Sequence, residues 1–339
     1  MSYHLPIPPE RSGMELDEFL CLSFPLLNKG YLRRQVRDGR VLVDGSPAIP
    51  SQRLRQHQVL IIDFDENEDV PDAPVAPKVG LPILFEDHEV LAIDKPAGLA
   101  SDPERWAKQK ACVSGALLEL ALERSDIREL DPRDPSAALQ FRPRLLHRLD
   151  KDTTGVMLVA KTLEAEKRLR GAFETGDVRK TYLALVEGEY PLADDDRETI
   201  DLPIGPDERK SGHMQVDRRH GKPSQTDISI EQRFRGYTLL RCEPRTGRTH
   251  QIRVHLREIG FPLAVDAVYG RRNSLALSEI KPQYRKKPGH FETPLIERLT
   301  LHALAIDFPR DDGTRTRVES PLPRDFARLL KQLAKVRAP

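Results

Sequence analysis

Cysteine is scarce in this chain. The three that occur among 339 residues, Cys21, Cys112 and Cys242, are far apart and form no CxxC pair. That excludes a disulfide framework or a zinc site and leaves buried, reduced thiols. Long apolar runs are missing too, since no stretch approaches the roughly 20 residues a membrane helix needs. The proline-rich start, Met1 to Glu10, lacks the basic-then-apolar order of a signal peptide, so a cytoplasmic protein without membrane contact is expected. Net charge is nearly absent, at +1, so the whole chain carries no electrostatic mark of a nucleic-acid binder. No repeat of fixed period and no glycine-rich phosphate loop occurs, and no nucleotide cofactor or metal is expected.

What the chain does have is enough apolar residue, 38%, for a large core over two or three domains. Its charge is also segregated. Between Lys29 and Arg55, seven cations (Lys29, Arg33, Arg34, Arg37, Arg40, Arg53 and Arg55) face only Asp38 and Asp44, a local charge of +5. The acidic run Asp63 to Asp69 follows at once.

After a tail at 1–12, residues 13–64 read as a small module. Leu16, Phe19, Leu20 and Ser23 have helical spacing, so Glu15 to Phe24 is a short helix. Asn28 is an N-cap for a second helix, with Leu32 and Val36 inward and Lys29, Arg33, Arg37 and Arg40 along another face. Arg40 to Val43 is a strand, Asp44-Gly45 a turn, and Val59 to Ile62 a strand. Residues 65–80 are acidic, then proline-rich (Pro71, Pro74, Pro77), and read as a linker. A larger domain follows over 81–339. Its strands are expected at Val90 to Ile93, Gly155 to Ala160, Val178 to Val186, Tyr237 to Cys242 and Leu301 to Phe308. Thr162 caps one helix, Thr249 to Ile259 forms another, and Pro323 to Val336 is the last. Residues 271–298 read as a basic, irregular insertion. Few helices separate the strands, which favours an α+β fold with a mixed, largely antiparallel sheet over a doubly wound parallel one.

Three constellations carry chemistry. In His147-Arg148-Leu149-Asp150-Lys151-Asp152-Thr153-Thr154-Gly155, a carboxylate sits between cations just ahead of a buried strand. Cationic neighbours keep such a group ionised and fit it to act as nucleophile or base, although a loop aspartate also commonly just caps a turn. In Lys180-Thr181-Tyr182, a strand tyrosine offers either core packing or a ring for a base to stack on. In Arg245-Thr246-Gly247-Arg248-Thr249-His250-Gln251-Ile252-Arg253-Val254-His255-Leu256, a glycine turn leads into a helix with Arg248 at its mouth. The spacing of five between His250 and His255 does not suit one helical face, which argues against a shared metal.

Together, and in this order, these segments resemble the three motifs of RluA-type pseudouridine synthases. Ala92 to Leu99, Asp266 to Gly270 and Leu301-His302-Ala303 resemble further stretches of that family, and 13–64 resembles the S4 RNA-binding domain many members carry in front. The resemblance covers nearly the whole chain. It implies that Asp150 is the catalytic aspartate, that Tyr182 stacks on the target base and assists proton handling, and that Arg148 fills the space left by a flipped nucleotide. It makes Arg248 the arginine that pairs with Asp150, with Arg253 close enough to be the other candidate. Lys29, Arg33, Arg34, Arg37 and Arg40 become candidate RNA contacts. Thr154, Val265 and Ser101-Asp102-Pro103 depart from the family pattern, and the change at Val265 puts nearby loop geometry in question.

The implied reaction breaks the N1–C1′ bond of uridine, turns the uracil and forms C5–C1′, with no metal or cofactor. Large-subunit ribosomal RNA is the expected substrate, transfer RNA the alternative, and a monomer without an obligate protein partner the expected state. A non-catalytic S4-type ribosome-assembly factor would not need Asp150, Tyr182 and Arg248 together. A glycosidic-bond hydrolase would need a second carboxylate, for which Asp152 is the obvious candidate.

Overall fold

The computed structural model describes residues 1–69, 80–102, 111–125, 131–135, 143–285 and 291–339. Most of the expected linker at 65–80 lies outside them, as do 286–290 of the basic insertion. The chain divides into two compact units. One comprises Met1–Gly80, Asp102–Arg144 and Ala160–Ala165, and the other Leu81–Ser101, Leu145–Val159 and Glu166–Pro339.

In the first unit, β1 (Ser2–Pro6), β2 (Val41–Val43), β3 (Ser46–Pro47) and β4 (Val59–Asp63) form a sheet in the order β1-β4-β2-β3. Helices α1 (Leu16–Ser23) and α2 (Lys29–Arg37) pack with it. The Asn28 side chain accepts from the Tyr31 amide at 2.7 Å, so it caps α2, and Leu32 and Val36 are buried as the periodicity requires. Residues 1–12 are not a tail: β1 runs antiparallel to β4, from Ser2 opposite Asp63 to Pro6 opposite Val59. The domain boundary also differs from the expected one. Residues 102–144 group with the first unit, where Ala121 and Leu122 of α3 (Val113–Ser125) pack on Leu26 and Arg144 binds Glu18 at 2.7 Å.

The second unit is built on one long sheet. Its strands are β5 (Ile83–Glu86), β6 (Val90–Lys95), β7 (Arg144–Leu145), β8 (Thr154–Ala160), β9 (Arg179–Glu187), β10 (Glu198–Asp201), β13 (Gln225–Phe234), β14 (Tyr237–Pro244), β15 (Leu301–Pro309) and β16 (Arg315–Glu319). The order is β10-β13-β14-β9-β15-β8-β6-β5, with β16 beside β15 and β7 beside β8. β11 (Ile204–Pro206) and β12 (Met214–Val216) form a separate hairpin. The helices are α4 (Leu163–Glu174), α5 (Gln251–Glu258), α6 (Leu277–Ile280) and α7 (Arg324–Val336). The expected α+β architecture with a mixed, largely antiparallel sheet is what the chain adopts. The pairs on either side of β9, β13 and β14 are antiparallel, and β8 runs parallel to β15.

Strand β8 is buried along its whole length, as its apolar run demands. Gly155 there has φ +117°, and a Cβ would overlap the Ala303 carbonyl, so only glycine lets β8 and β15 approach this closely. Among the described residues no helix is long and apolar enough to cross a membrane.

Candidate active site

Asp150 lies in the turn just ahead of β8, about one-fifth exposed. Two buried groups hold that turn. Ser101 Oγ donates to the Leu149 carbonyl at 2.8 Å and accepts from the Leu149 amide at 3.1 Å. Lys95 Nζ donates to the carbonyls of Pro96, Leu99 and Lys151 at 2.7–2.8 Å. Burial lowers the Lys95 pKa to about 8, against the pull of Asp152 and Asp150. Ser101, a departure from the family pattern, thus has a defined task.

The arginine on Asp150 is Arg253, which corrects the expected Arg248. Arg253 Nη1 donates to Asp150 Oδ2 at 2.9 Å. Its Nε and Nη2 grip Asp266 with two bonds of 2.8 Å. Arg248 is exposed and its Nε donates to the Pro223 carbonyl at 3.2 Å. The physical reason is the start of α5. The helix begins at Gln251, so Arg253 sits in its first turn, inside the run Gln251 to Leu256 that is buried throughout, whereas Arg248 lies on the preceding loop. An arginine flanked by Ile252 and Val254 was the available signal.

Asp266 is buried. Burial pushes its pKa up, but the Arg253 bonds and the Tyr269 and Val268 amides outweigh this and hold the carboxyl below its ordinary range. Arg253 is also covered by the Tyr269 ring, 4.8 Å from its guanidinium carbon. Val265 itself is buried in the core cluster that holds Leu183 and Leu185.

Tyr182, on β9, is nearly buried. Burial and then the charge of Asp150 raise the pKa of its phenol, which stays protonated. His250 precedes α5 in a left-handed conformation, φ +56°. Its Nε2 is 3.9 Å from Asp150 Oδ1 and its Nδ1 is 2.7 Å from Tyr269 Oη. Burial lowers its pKa although Asp150 pulls the other way, so the imidazole is neutral. His255 is separate, buried between Thr226 Oγ1 and the Leu202 carbonyl, so the two motif histidines do not share a ligand. The family-like stretch at Leu301-His302-Ala303 meets the aspartate segment: His302 Nδ1 bonds Thr154 Oγ1 at 2.9 Å, a contact the Thr154 departure preserves. Arg148 is exposed.

Among the described residues, His88, Glu89 and Asp311 come close enough to share an ion. Both oxygens of Glu89 are already on Arg168, at 2.8 Å each.

The N-terminal cations are mostly engaged within their own unit. Lys29 and Arg33 bind the buried Asp17 at 3.1 and 2.6 Å. Arg34 binds Glu68 at 2.6 Å, and Arg40 lies 3.4 Å from Glu68 and 3.6 Å from Asp65. The acidic run that looked segregated in sequence thus folds back onto the basic helix. Arg37 is exposed and has no ion-pair partner among the described residues.

One carboxylate is held by arginine through one oxygen and open at the other, beside a protonated phenol and a neutral imidazole. That is an arrangement for nucleophile or base chemistry at Asp150, the second carboxylate on the same guanidinium, Asp266, being engaged by Arg253 and two backbone amides. The family model for RNA pseudouridylate synthase matches residues 89–258. A ribosomal large subunit pseudouridine synthase D from Pseudomonas aeruginosa is 34% identical over 96% of this chain and 94% of its own length. An uncharacterized RNA pseudouridine synthase of Bacillus subtilis, YlyB, is 32% identical over 96% of both. The solved human RNA pseudouridylate synthase domain containing 4 shares the fold, with a TM-score of 0.52 and 24% identity over 74% of this chain and 92% of that one. The chain belongs to the RNA pseudouridylate synthase family and is an RNA pseudouridine synthase.

Proposed function

We propose that this enzyme isomerises uridine in large-subunit ribosomal RNA, with Asp150 as the catalytic carboxylate. The observation that carries the catalytic assignment is the single bond from Arg253 to Asp150 Oδ2, which leaves Oδ1 open toward the site. That charged hydrogen bond fixes the position of the carboxylate. Asp266, bound twice to the same guanidinium, keeps that arginine in place. Oδ1 then attacks C1′ and displaces N1 of the uracil, or takes the proton from C2′ as the N1–C1′ bond breaks. The turned ring bonds through C5 to C1′, releasing Oδ1 or returning the proton to C2′, and the C5 proton is lost as N1 gains one. Tyr182, protonated, presents its ring to the target base and its hydroxyl to a passing proton. Isomerisation transfers no electrons and loses no group, so the reaction asks for no cofactor.

The target uridine leaves its stack to reach Asp150, at a cost of a few kcal/mol. Arg148, exposed in the same segment, fills the vacated place. Arg248 contacts phosphate. The 13–64 module acts as an S4-like RNA-binding domain through Arg34, Arg37 and Arg40, with Lys29 and Arg33 at its edge. Large-subunit ribosomal RNA is supported by the names of several relatives, among them those of Pseudomonas aeruginosa and Nitrosomonas europaea. The enzyme works as a cytoplasmic monomer.

Pseudouridine mapping across cellular RNA, with the gene deleted and then restored, tests both parts. The expected result is loss of one or more sites in large-subunit ribosomal RNA, recovered with the wild-type gene and not with Asp150→Asn. Loss confined to transfer RNA would overturn the substrate. Recovery with Asp150→Asn would overturn the catalytic assignment.

A further inference from the structure

His250 sits in the left-handed region, which residues with a side chain adopt uncommonly, and it makes no capping bond to its helix. Such a conformation persists where the surroundings impose it, and it often marks a working group. Here it brings the imidazole beside the one oxygen of Asp150 that Arg253 leaves open.

The hydrogen-bond chain behind the ring determines where its proton sits. The Met214 amide donates to Tyr269 Oη at 2.8 Å. Burial raises the Tyr269 pKa, so the phenol keeps its proton and has it to give. Its neighbour at 2.7 Å is His250 Nδ1. If Nδ1 carried the proton, the bare lone pair of Nε2 would face the Asp150 carboxylate. The opposite tautomer satisfies every group: Tyr269 donates to Nδ1, and Nε2–H points toward Oδ1.

The Nε2–Oδ1 distance of 3.9 Å is too long for a direct hydrogen bond. It fits one hydroxyl oxygen between them. A hydroxyl about 2.8 Å from each atom would see the two partners about 90° apart, donating to Oδ1 and accepting from Nε2–H. On either chemical route, attack at C1′ or abstraction at C2′, the hydroxyl nearest Asp150 is the ribose 2′-OH. We propose that His250 is a substrate-contacting specificity residue that, with Asp150 Oδ1, binds the 2′-hydroxyl of the target nucleotide and so distinguishes ribose from deoxyribose. The proposal rests on the reading of Asp150 as the catalytic carboxylate.

The test compares single-turnover rates on an RNA fragment spanning the mapped uridine with the same fragment carrying 2′-deoxyuridine at that one position. A ratio of ratios between enzymes removes the intrinsic effect of the deoxy sugar. Wild type should prefer the ribose form by about 100-fold. His250→Asn is the informative variant. Asparagine tolerates the left-handed backbone and keeps a polar atom at the level of Nδ1 for Tyr269, but places nothing at Nε2. It should lower the preference to about 10-fold, with the loss in rate on the ribose substrate and RNA affinity unchanged. Tyr269→Phe, which frees the tautomer, should fall between. Equal preference in wild type and His250→Asn would overturn the proposal. Asp150→Asn run alongside separates the two failures: turnover by that variant removes the catalytic reading itself, whereas a dead Asp150→Asn with an unaltered His250→Asn preference removes only the role of His250.

Discussion

Arginine meets carboxylate in both units of this protein, under opposite conditions. In the catalytic unit, Arg253 and Asp266 are 5% and 1% exposed and joined by two bonds, with Asp150 on the remaining nitrogen. In the N-terminal unit, Arg34 is 53% exposed and meets a Glu68 that is 25% exposed. Water and salt reach the second pair and not the first. A buried pair holds geometry because removing one partner strands a charge, at about 3–5 kcal/mol. An exposed pair contributes about 0–1 kcal/mol and exchanges readily for another anion, such as a phosphate. The same chemistry therefore serves as a fixture in one unit and as a replaceable contact in the other.

The largest effect should come from breaking the fixture. Arg253→Ala should lower the saturated rate by about 100-fold or more and destabilise the fold by about 3–5 kcal/mol, since Asp150 and Asp266 both lose their partner. Arg248→Ala should leave the saturated rate within about twofold and weaken RNA binding only a few fold, as an exposed contact would. Single-turnover kinetics and urea unfolding on both variants decide between them. A normal saturated rate for Arg253→Ala, with a collapsed one for Arg248→Ala, would reverse the assignment.

Acid probes the buried side in a second way. His147 Nε2 accepts from the Leu158 amide at 3.0 Å, so its ring is neutral there. Burial, then the charge of Lys180, lowers its pKa to about 3 from 6.5. The unfolded chain therefore binds a proton that the folded one refuses. The resulting stability is fully present above pH 6.5 and is lost as pH falls from 6.5 toward 3. The slope from this one group is at most about 1.4 kcal/mol per pH unit. His147→Gln can still accept from Leu158 but does not titrate, and should flatten the slope measured by urea unfolding from pH 7 to 4. Parallel slopes for the two proteins would mean that the ring is solvated enough to charge freely.

The smallest effect belongs to the exposed pairs. Glu68→Gln releases Arg34 and Arg40, and should tighten RNA binding about two- to fivefold at low salt and steepen the salt dependence by about one to two units. Unchanged affinity and slope in a salt titration would show that this face does not meet phosphate. Deleting residues 1–70 is a poorer test than their sequence position suggests, because it would strip Leu26 from Ala121 and Leu122 within one unit.

Local features are legible in the sequence. The Asn28 cap, the inward Leu32 and Val36, the Thr162 cap, which accepts from the Ala165 amide, and the wholly apolar β8 each depend on neighbours a few residues away. What is not legible is non-local. β1 has no strongly apolar face, and its partner lies some 60 residues on, so its five residues looked like a tail. The pairing of Asp150 could not follow from motif spacing, because the left-handed turn at His250 resets the phase between Arg248 and Arg253. Lys95, Ser101 and Tyr269 lie in stretches that the family resemblance marks, but their tasks run through backbone groups and a hydroxyl, which motif spacing does not show.

The parallel pairing of β8 with β15 also bears on how the enzyme is made. Thr154 and His302 stand 148 positions apart, and Asp150 and Arg253 stand 103 apart. Contacts of such long range form late, because a large loop must close before they return any energy. A ribosome that has already synthesised the aspartate segment must still deliver another 148 residues before the β15 strand can reach it. The β8–β15 pairing can therefore form only once Leu301–Pro309 has been made, and a product stopped before Leu301 would carry every motif residue from Asp150 to Arg253 and still lack the strand that pairs with β8 and β9.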